Sequence, residues 1–201
     1  MLNSTFDTDA ALGMRRLEHQ GNRMLKVAAA LLAFFLALSA LADELRVPLT
    51  DRDELVMDLP AGWRGQFRRP RPDLPPTISI TAPNAGSFQM LVTPMWPMGS
   101  AMAPTAAELR EVVSGAAEKA RSQAIEPELK IMELAAPGKS GYYFSATDRQ
   151  PEPGGYKYLT QGALGLNELR VTFTILVNGE PAEPTNMALE LLRSMRRSTA
   201  Q

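Results

Sequence analysis

Between Glu168 and Val177 the chain alternates apolar and polar side chains more cleanly than anywhere else, with Leu176 the one departure. Leu169, Val171, Phe173, Ile175 and Val177 fall on one face, and Arg170, Thr172 and Thr174 on the other. Successive side chains of a strand point to opposite sides, so this pattern demands a sheet with one buried and one open face. Asn178-Gly179 ends the strand. Other runs repeat the theme. Leu45 to Thr50 and Glu54 to Leu59 flank the polar turn Asp51-Arg52-Asp53 and read as a hairpin, with Pro48 placing its first strand at an edge. A strand is expected around Trp63 to Phe67. Thr77 to Thr81 and Phe88 to Val92 flank Pro83-Asn84-Ala85-Gly86 as a second hairpin, and further strands are expected over Glu128 to Leu134, Gly141 to Asp148 and Gly155 to Ala163.

Two segments carry helical spacing instead. Thr105-Ala106-Ala107-Glu108 is a capping box, in which the threonine hydroxyl and the glutamate satisfy amides of the first turn. It opens a helix from Ala106 to about Gln123, with Leu109, Val112, Val113, Ala116 and Ala120 on its inner face. A second helix is expected from about Pro184 to Arg197, with Met187, Ala188, Leu191, Leu192 and Met195 inward. Arg193, Arg196 and Arg197 would then sit in its last turns, where cations suit the helix dipole. Strands joined by short polar turns, with helices at two places, define an α+β domain. It is an antiparallel sheet of about six to eight strands flanked by two main helices.

The N-terminal part is of another kind. Val27 to Ala42 is an uncharged apolar run, preceded by Arg23 and Lys26 and ending in Ala40-Leu41-Ala42 before Asp43-Glu44. As a helix it would rise about 24 Å, short of the ~30 Å hydrocarbon core of a bilayer. A basic flank, a short apolar core and a small-residue exit make a secretory signal peptide. Residues 1–42 are thus read as an N-terminal extension plus leader, and 43–201 as one α+β domain, exported to the periplasm or secreted. An uncleaved leader would be the chain's contact with the membrane. Met24-Leu25-Lys26 would itself begin a compact leader, so Met1 and Met24 are both candidate starts. Arg15-Arg16 is a weak match to a twin-arginine signal, because the apolar run begins far downstream.

What the chain lacks narrows its chemistry. There is no cysteine in 201 residues, which removes disulfides, thiolate nucleophiles, Cys-ligated zinc and a lipidated N-terminal cysteine, so the protein is not read as a lipoprotein. The one histidine, His19, lies in the leader region. Of the 21 basic and 22 acidic side chains, Arg15, Arg16, Arg23 and Lys26, with Asp7, Asp9 and Glu18, precede residue 43. Residues 43–201 are left with a net charge of −2. Without an excess of positive charge, nucleic-acid binding is not expected. No cofactor motif is present: Gly162-Ala163-Leu164-Gly165 lacks the Gly-Lys-Ser/Thr ending of a phosphate loop.

The early hairpin running into Leu59-Pro60-Ala61-Gly62-Trp63, the Gly141-Tyr142-Tyr143-Phe144 strand, its Tyr156-Lys157-Tyr158 neighbour, the Leu169 to Val177 strand and the closing helix occur in an order that resembles the PsbP-like fold. That fold is known from the extrinsic photosystem II subunit and is shared with a nuclear Ran-binding protein and small bacterial envelope proteins. The resemblance implies the fold over nearly all of residues 43–201, and a role in partner binding or assembly. It supplies no catalytic residue set.

Three local constellations remain. Trp63, Arg64, Arg68, Arg69 and Arg71 bracket the proline-stiffened stretch Arg68 to Pro76 and are the partner-binding candidates, for an envelope or secreted protein. Met95, Trp96, Met98 and Met102, with Met90, form an alternative soft-metal site for Cu(I) or Ag(I). Without His or Cys, gap-filling methionines are the plainer reading. A hydrolase is the other alternative. Lys139 beside Ser140, Ser145 and Thr147 could be a Ser–Lys pair, but Pro137-Gly138-Lys139-Ser140 reads as an exposed turn. Asp51, Asp53, Glu54 and Asp58 read as a solvated hairpin turn, not a calcium loop or glycosidase pair.

Overall fold

The computed structural model describes residues 43–50, 53–69, 71, 74–84, 86–95 and 102–199. The leader with its expected cleavage site lies outside them, as do Asp51, Trp96 and Met98. Ten strands and two helices are described: β1 (Asp43–Pro48), β2 (Asp53–Leu59), β3 (Arg64–Arg68), β4 (Thr77–Thr81), β5 (Phe88–Met95), α1 (Ala106–Ala120), β6 (Met132–Glu133), β7 (Gly141–Thr147), β8 (Tyr158–Leu166), β9 (Leu169–Val177), α2 (Ala182–Ser194) and β10 (Arg196–Thr199). The strands form a seven-stranded sheet, ordered β3-β4-β5-β9-β8-β7-β6, and a three-stranded sheet, ordered β1-β2-β10. Every pairing between these strands is antiparallel. The α+β class, the antiparallel sheet and the two helices are as the sequence implies. The first hairpin differs, because it forms a sheet of its own with β10.

The strand with the cleanest alternation, β9, is central, bonded to β5 on one side and β8 on the other. Leu176 on its other face is half-buried, and the five apolar residues of its inner face are buried. They join Ile78, Ile80, Phe88, Met90 and Val92 in one core, covered by Leu55, Met57 and Leu59 of β2 and Ala188, Leu191 and Leu192 of α2. Trp63 enters the same core, 4% exposed, its ring 4.4 Å from that of Phe88. The turn before it closes with the Trp63 N–H donating to Pro60 O at 2.9 Å, and Gly62 takes φ +79° there, a conformation a side chain would strain. A second, smaller core lies on the other face of the sheet, where Leu109, Val113 and Ala117 of α1 meet Phe144, Ala146 and Ala163.

Several expectations are corrected by long-range partners. The C-terminal helix stops at Ser194, and Arg196 and Arg197 pair with β2 as a strand instead of closing the helix. Their guanidiniums explain why: Arg196 binds Asp58 and Glu44, and Arg197 binds Asp53 at 2.7 Å as well as Glu168. Asp53, Glu54 and Asp58 are accordingly not a merely solvated turn, for Glu54 is also paired, with Arg46 at 3.0 Å. The Arg197 hydrogen bond holds the Asp53 carboxyl below its ordinary pKa. Lys139 is half-buried, not exposed. Its ammonium donates to the Arg193 and Met195 carbonyls that end α2, and burial, with Arg196 nearby, lowers its pKa. That ammonium is thereby committed to a helix end instead of to Ser140.

The strand expected over Glu128 to Leu134 shrinks to β6. Ahead of it the Glu126 carboxylate takes the Thr147 N–H and hydroxyl at 2.9 and 2.7 Å, so a side chain occupies the end of the β7 edge that a longer strand would pair with. Burial raises the Glu126 pKa, but these two hydrogen bonds together with one from its own backbone outweigh it and lower the pKa from its ordinary value. The strand expected from Gly155 begins instead at Tyr158. Asn178 claims the preceding turn, accepting from Lys157 N at 3.1 Å and donating to Gly155 O at 2.7 Å. On α1 the buried line is Leu109, Val113 and Ala117, while Val112 is 39% exposed, because the helix rests on β7 and β8 alone and turns one flank outward.

Gly162 of β8 is a tight point of the large core. A Cβ there would stand 2.3 Å from Tyr142 O, 2.5 Å from Phe173 Cζ and 2.7 Å from Tyr143 Cβ. Gly162→Ala is therefore expected to cost roughly 1–3 kcal/mol, read as a lowered urea midpoint. An unchanged midpoint would mean that the Phe173 ring is not packed against this strand.

Candidate functional site

Among the described residues α1 packs mainly on β7 and β8, and no described helix packs over the β9-to-β3 part of that face of the seven-stranded sheet. The registers arrange its side chains in rows. Arg64, Thr81, Gln89 and Leu176 stand side by side across four strands, as do Gln66, Ser79, Leu91 and Thr174. Arg68 stands opposite Thr77, Thr93 opposite Thr172, and Met95 opposite Arg170. The β4, β5 and β9 members are half-buried and those of β3 are exposed. This face is polar but barely cross-linked. Gln89 Nε2 reaches Ser79 Oγ only at 3.5 Å, and the Thr172 hydroxyl reaches Thr93 O only at 3.5 Å. A shallow groove of about 390 Å³ runs over Gln66, Arg68, Ser79 and Leu91.

Arg170 marks the opposite margin, beside the N-terminus of α1. Its Nε is buried and has no hydrogen-bond partner among the described residues. The Thr105 backbone N–H and then its hydroxyl hold the Glu108 carboxyl below its ordinary pKa, and the positive charge of Arg170 adds to this. The capping box of the sequence is thus formed in full, with Thr105 N donating to Glu108 Oε2 at 2.8 Å and Glu108 N donating to Thr105 Oγ1 at 3.2 Å.

The partner-binding candidates divide into three kinds. Arg64 and Arg68 lie on the edge strand β3 and are exposed, so they head the open face. Trp63 is the correction, for its ring packs against Phe88 inside the core and offers no surface. Arg69 is exposed, yet its Nη2 donates to Pro48 O at 2.9 Å and Leu49 O at 3.2 Å, which fastens this stretch to the end of β1. Arg71 is also exposed. Of the methionines, Met90 and Met95 cannot converge: Met90 is in the core and Met95 is on the open face. Met102 is 74% exposed near Arg170. Among the described residues no group of three or more carboxylates or histidines is placed to hold a metal ion.

The outer edge of β3 is the feature that sequence reasoning did not identify. Among the described residues β3 pairs with β4 on one side and is terminal in its sheet, so its other side presents backbone donors and acceptors. Phe67, 41% exposed, projects from this strand on the side opposite Arg64 and Arg68. Arg69→Met should lower stability by about 1 kcal/mol, because two carbonyls lose a charged donor. Arg64→Ser and Arg68→Ser should each stay within about 0.5 kcal/mol of the parent. Urea unfolding of the three variants checks this division, and equal effects would contradict it.

No protein-family model matches the chain, and no curated protein matches it. Among solved structures it is similar to cyanobacterial PsbP (CyanoP) from Synechocystis sp. PCC 6803, solved in solution. The match has 11% identity and a TM-score of 0.46 and covers 79% of this chain and 95% of that one. This likeness carries no argument about what the chain does.

Proposed function

We propose that this protein is an exported, non-enzymatic binding module of the bacterial envelope that holds a protein partner along β3. The observation that carries this reading is the edge of β3, unpaired among the described residues, with Arg64 and Arg68 on one face of the strand and exposed Phe67 on the other. An edge strand can accept an extended segment by backbone hydrogen bonding, while alternate side chains select its sequence. Two arginines four residues apart on one face select carboxylates at the matching spacing, and exposed Phe67 takes an apolar residue between them. The leader run Val27 to Ala42 supports export and so an envelope or secreted partner.

A photo-crosslinking residue at Gln66, introduced into the chain expressed in intact cells, tests this reading. It should yield a discrete adduct with an envelope or secreted protein, and the same residue at exposed Ser122, just past the helix α1 that packs on β7 and β8, should not. Arg64→Ser with Arg68→Ser should weaken the adduct about tenfold and reduce its sensitivity to salt. Adducts of equal yield from both positions, or a cytosolic protein that keeps residues 24–42, would overturn it.

A further inference from the structure

At the other end of the seven-stranded sheet, four strands from β3, a separate groove opens between β7, β8 and the first two turns of α2. Its volume is about 380 Å³, inside the roughly 300–1,000 Å³ of small-molecule sites. Two tyrosines, Tyr143 and Tyr158, come from the strands, and Thr185 and Asn186 from the helix. Ser145 and Thr160 stand opposite each other on β7 and β8 and share a hydrogen bond of 2.8 Å. Thr160 is 5% exposed and is the buried polar side chain among the described residues. None of the described side chains lining this groove carries a charge. Lys157 Nζ lies over the Tyr158 ring at 5.5 Å but is not part of the lining.

We propose that this groove binds a small uncharged ring bearing several hydroxyls, a neutral saccharide unit. An ion taken from water into a groove without a counter-charge would lose its hydration uncompensated, so charged ligands are disfavoured. A purely apolar ligand fails for the opposite reason, because it would strip water from polar groups that need partners. The Ser145–Thr160 pair uses one donor and one acceptor between its two hydroxyls, which leaves a donor and further acceptors free; Asn186 adds two donors and an acceptor, and the tyrosine hydroxyls add both kinds. Tyrosine rings with Met132 and Leu189 supply the apolar wall that the C–H faces of a sugar ring require. Thr147, which also lines the groove, is already spent on Glu126 and serves as wall. This site is independent of the β3 edge, and either could exist without the other.

The test is a titration of the ¹⁵N-labelled protein recovered after export, followed by amide shifts. The probes are methyl β-D-glucopyranoside and diacetylchitobiose as neutral saccharides, glucuronate and glucosamine as charged counterparts, and indole as the apolar competitor. The neutral saccharides should move amides of residues 143–147, 158–162 and 182–189, and should bind about tenfold more tightly than the charged pair. Asn186→Trp, at an exposed position, should fill the groove and weaken binding about tenfold with the rest of the spectrum unchanged. Ala182→Trp closes it from the preceding turn should the first variant fail to fold. Absence of any saccharide-induced shift, shifts confined to other residues, tighter binding of indole or of the charged pair, or undiminished binding in the filled variants would each overturn the assignment.

Discussion

Everything in this fold hangs on β9. The five apolar residues buried on its inner face each contribute on the order of 1.5–3 kcal/mol relative to exposure. A slip of one residue would turn all of them toward solvent, so the register against β5 and β8 is fixed by burial as much as by backbone hydrogen bonds. The layers follow from that face. The β1-β2-β10 sheet and α2 cover it, and their own apolar residues close the core. The opposite face carries Arg170, Thr172 and Thr174, which no core requires, and there only β7 and β8 receive a helix. Both surfaces on which function is proposed are what this packing leaves over: an outer strand at one end and a gap beside α2 at the other.

The covering layer depends on charge as well as on apolar contact. β10 is a short strand of two arginines, a serine and a threonine, with little hydrophobic content to hold it. Arg196 and Arg197 draw it onto β2 by binding Glu44, Asp53, Asp58 and Glu168, carboxylates supplied by three separate segments. Exposed pairs of this kind contribute little singly, but a network sharing two guanidiniums fixes direction and register. Lys139 completes the arrangement from below by binding the carbonyls at which α2 ends, so the turn to β10 is held from both sides.

This difference between local and distant causes decides what was legible in the sequence. The hairpins, the capping box at Thr105 and Glu108, and the alternation of β9 depend on neighbours a few residues away, and all appear as read. β10 did not, since Arg196-Arg197 after an apolar helical stripe looks like a helix tail until Asp58 and Asp53 are brought to it from 138 and 144 residues away. Glu126 is similar: its carboxylate replaces part of a strand ladder, which no local pattern announces. Of the basic cluster, proximity in sequence grouped Arg64, Arg68 and Arg69, yet only the fold separates the arginine fastened to Pro48 and Leu49 from the two on the open face. The groove beside α2 had no sequence signature, because Tyr143, Thr160 and Asn186 come from three elements and none belongs to a motif.

Among the described residues the seven-stranded sheet is sealed at its middle and open at β3. Native-state hydrogen exchange, resolved residue by residue, addresses it directly. Amides of β9 should exchange only through global unfolding and be the slowest in the protein. Outward-facing amides of residues 64–68 should exchange orders of magnitude faster while the protein stays folded. Protection at residues 64–68 equal to that of β9 in the isolated protein would mean that the edge is already covered, and would contradict the account.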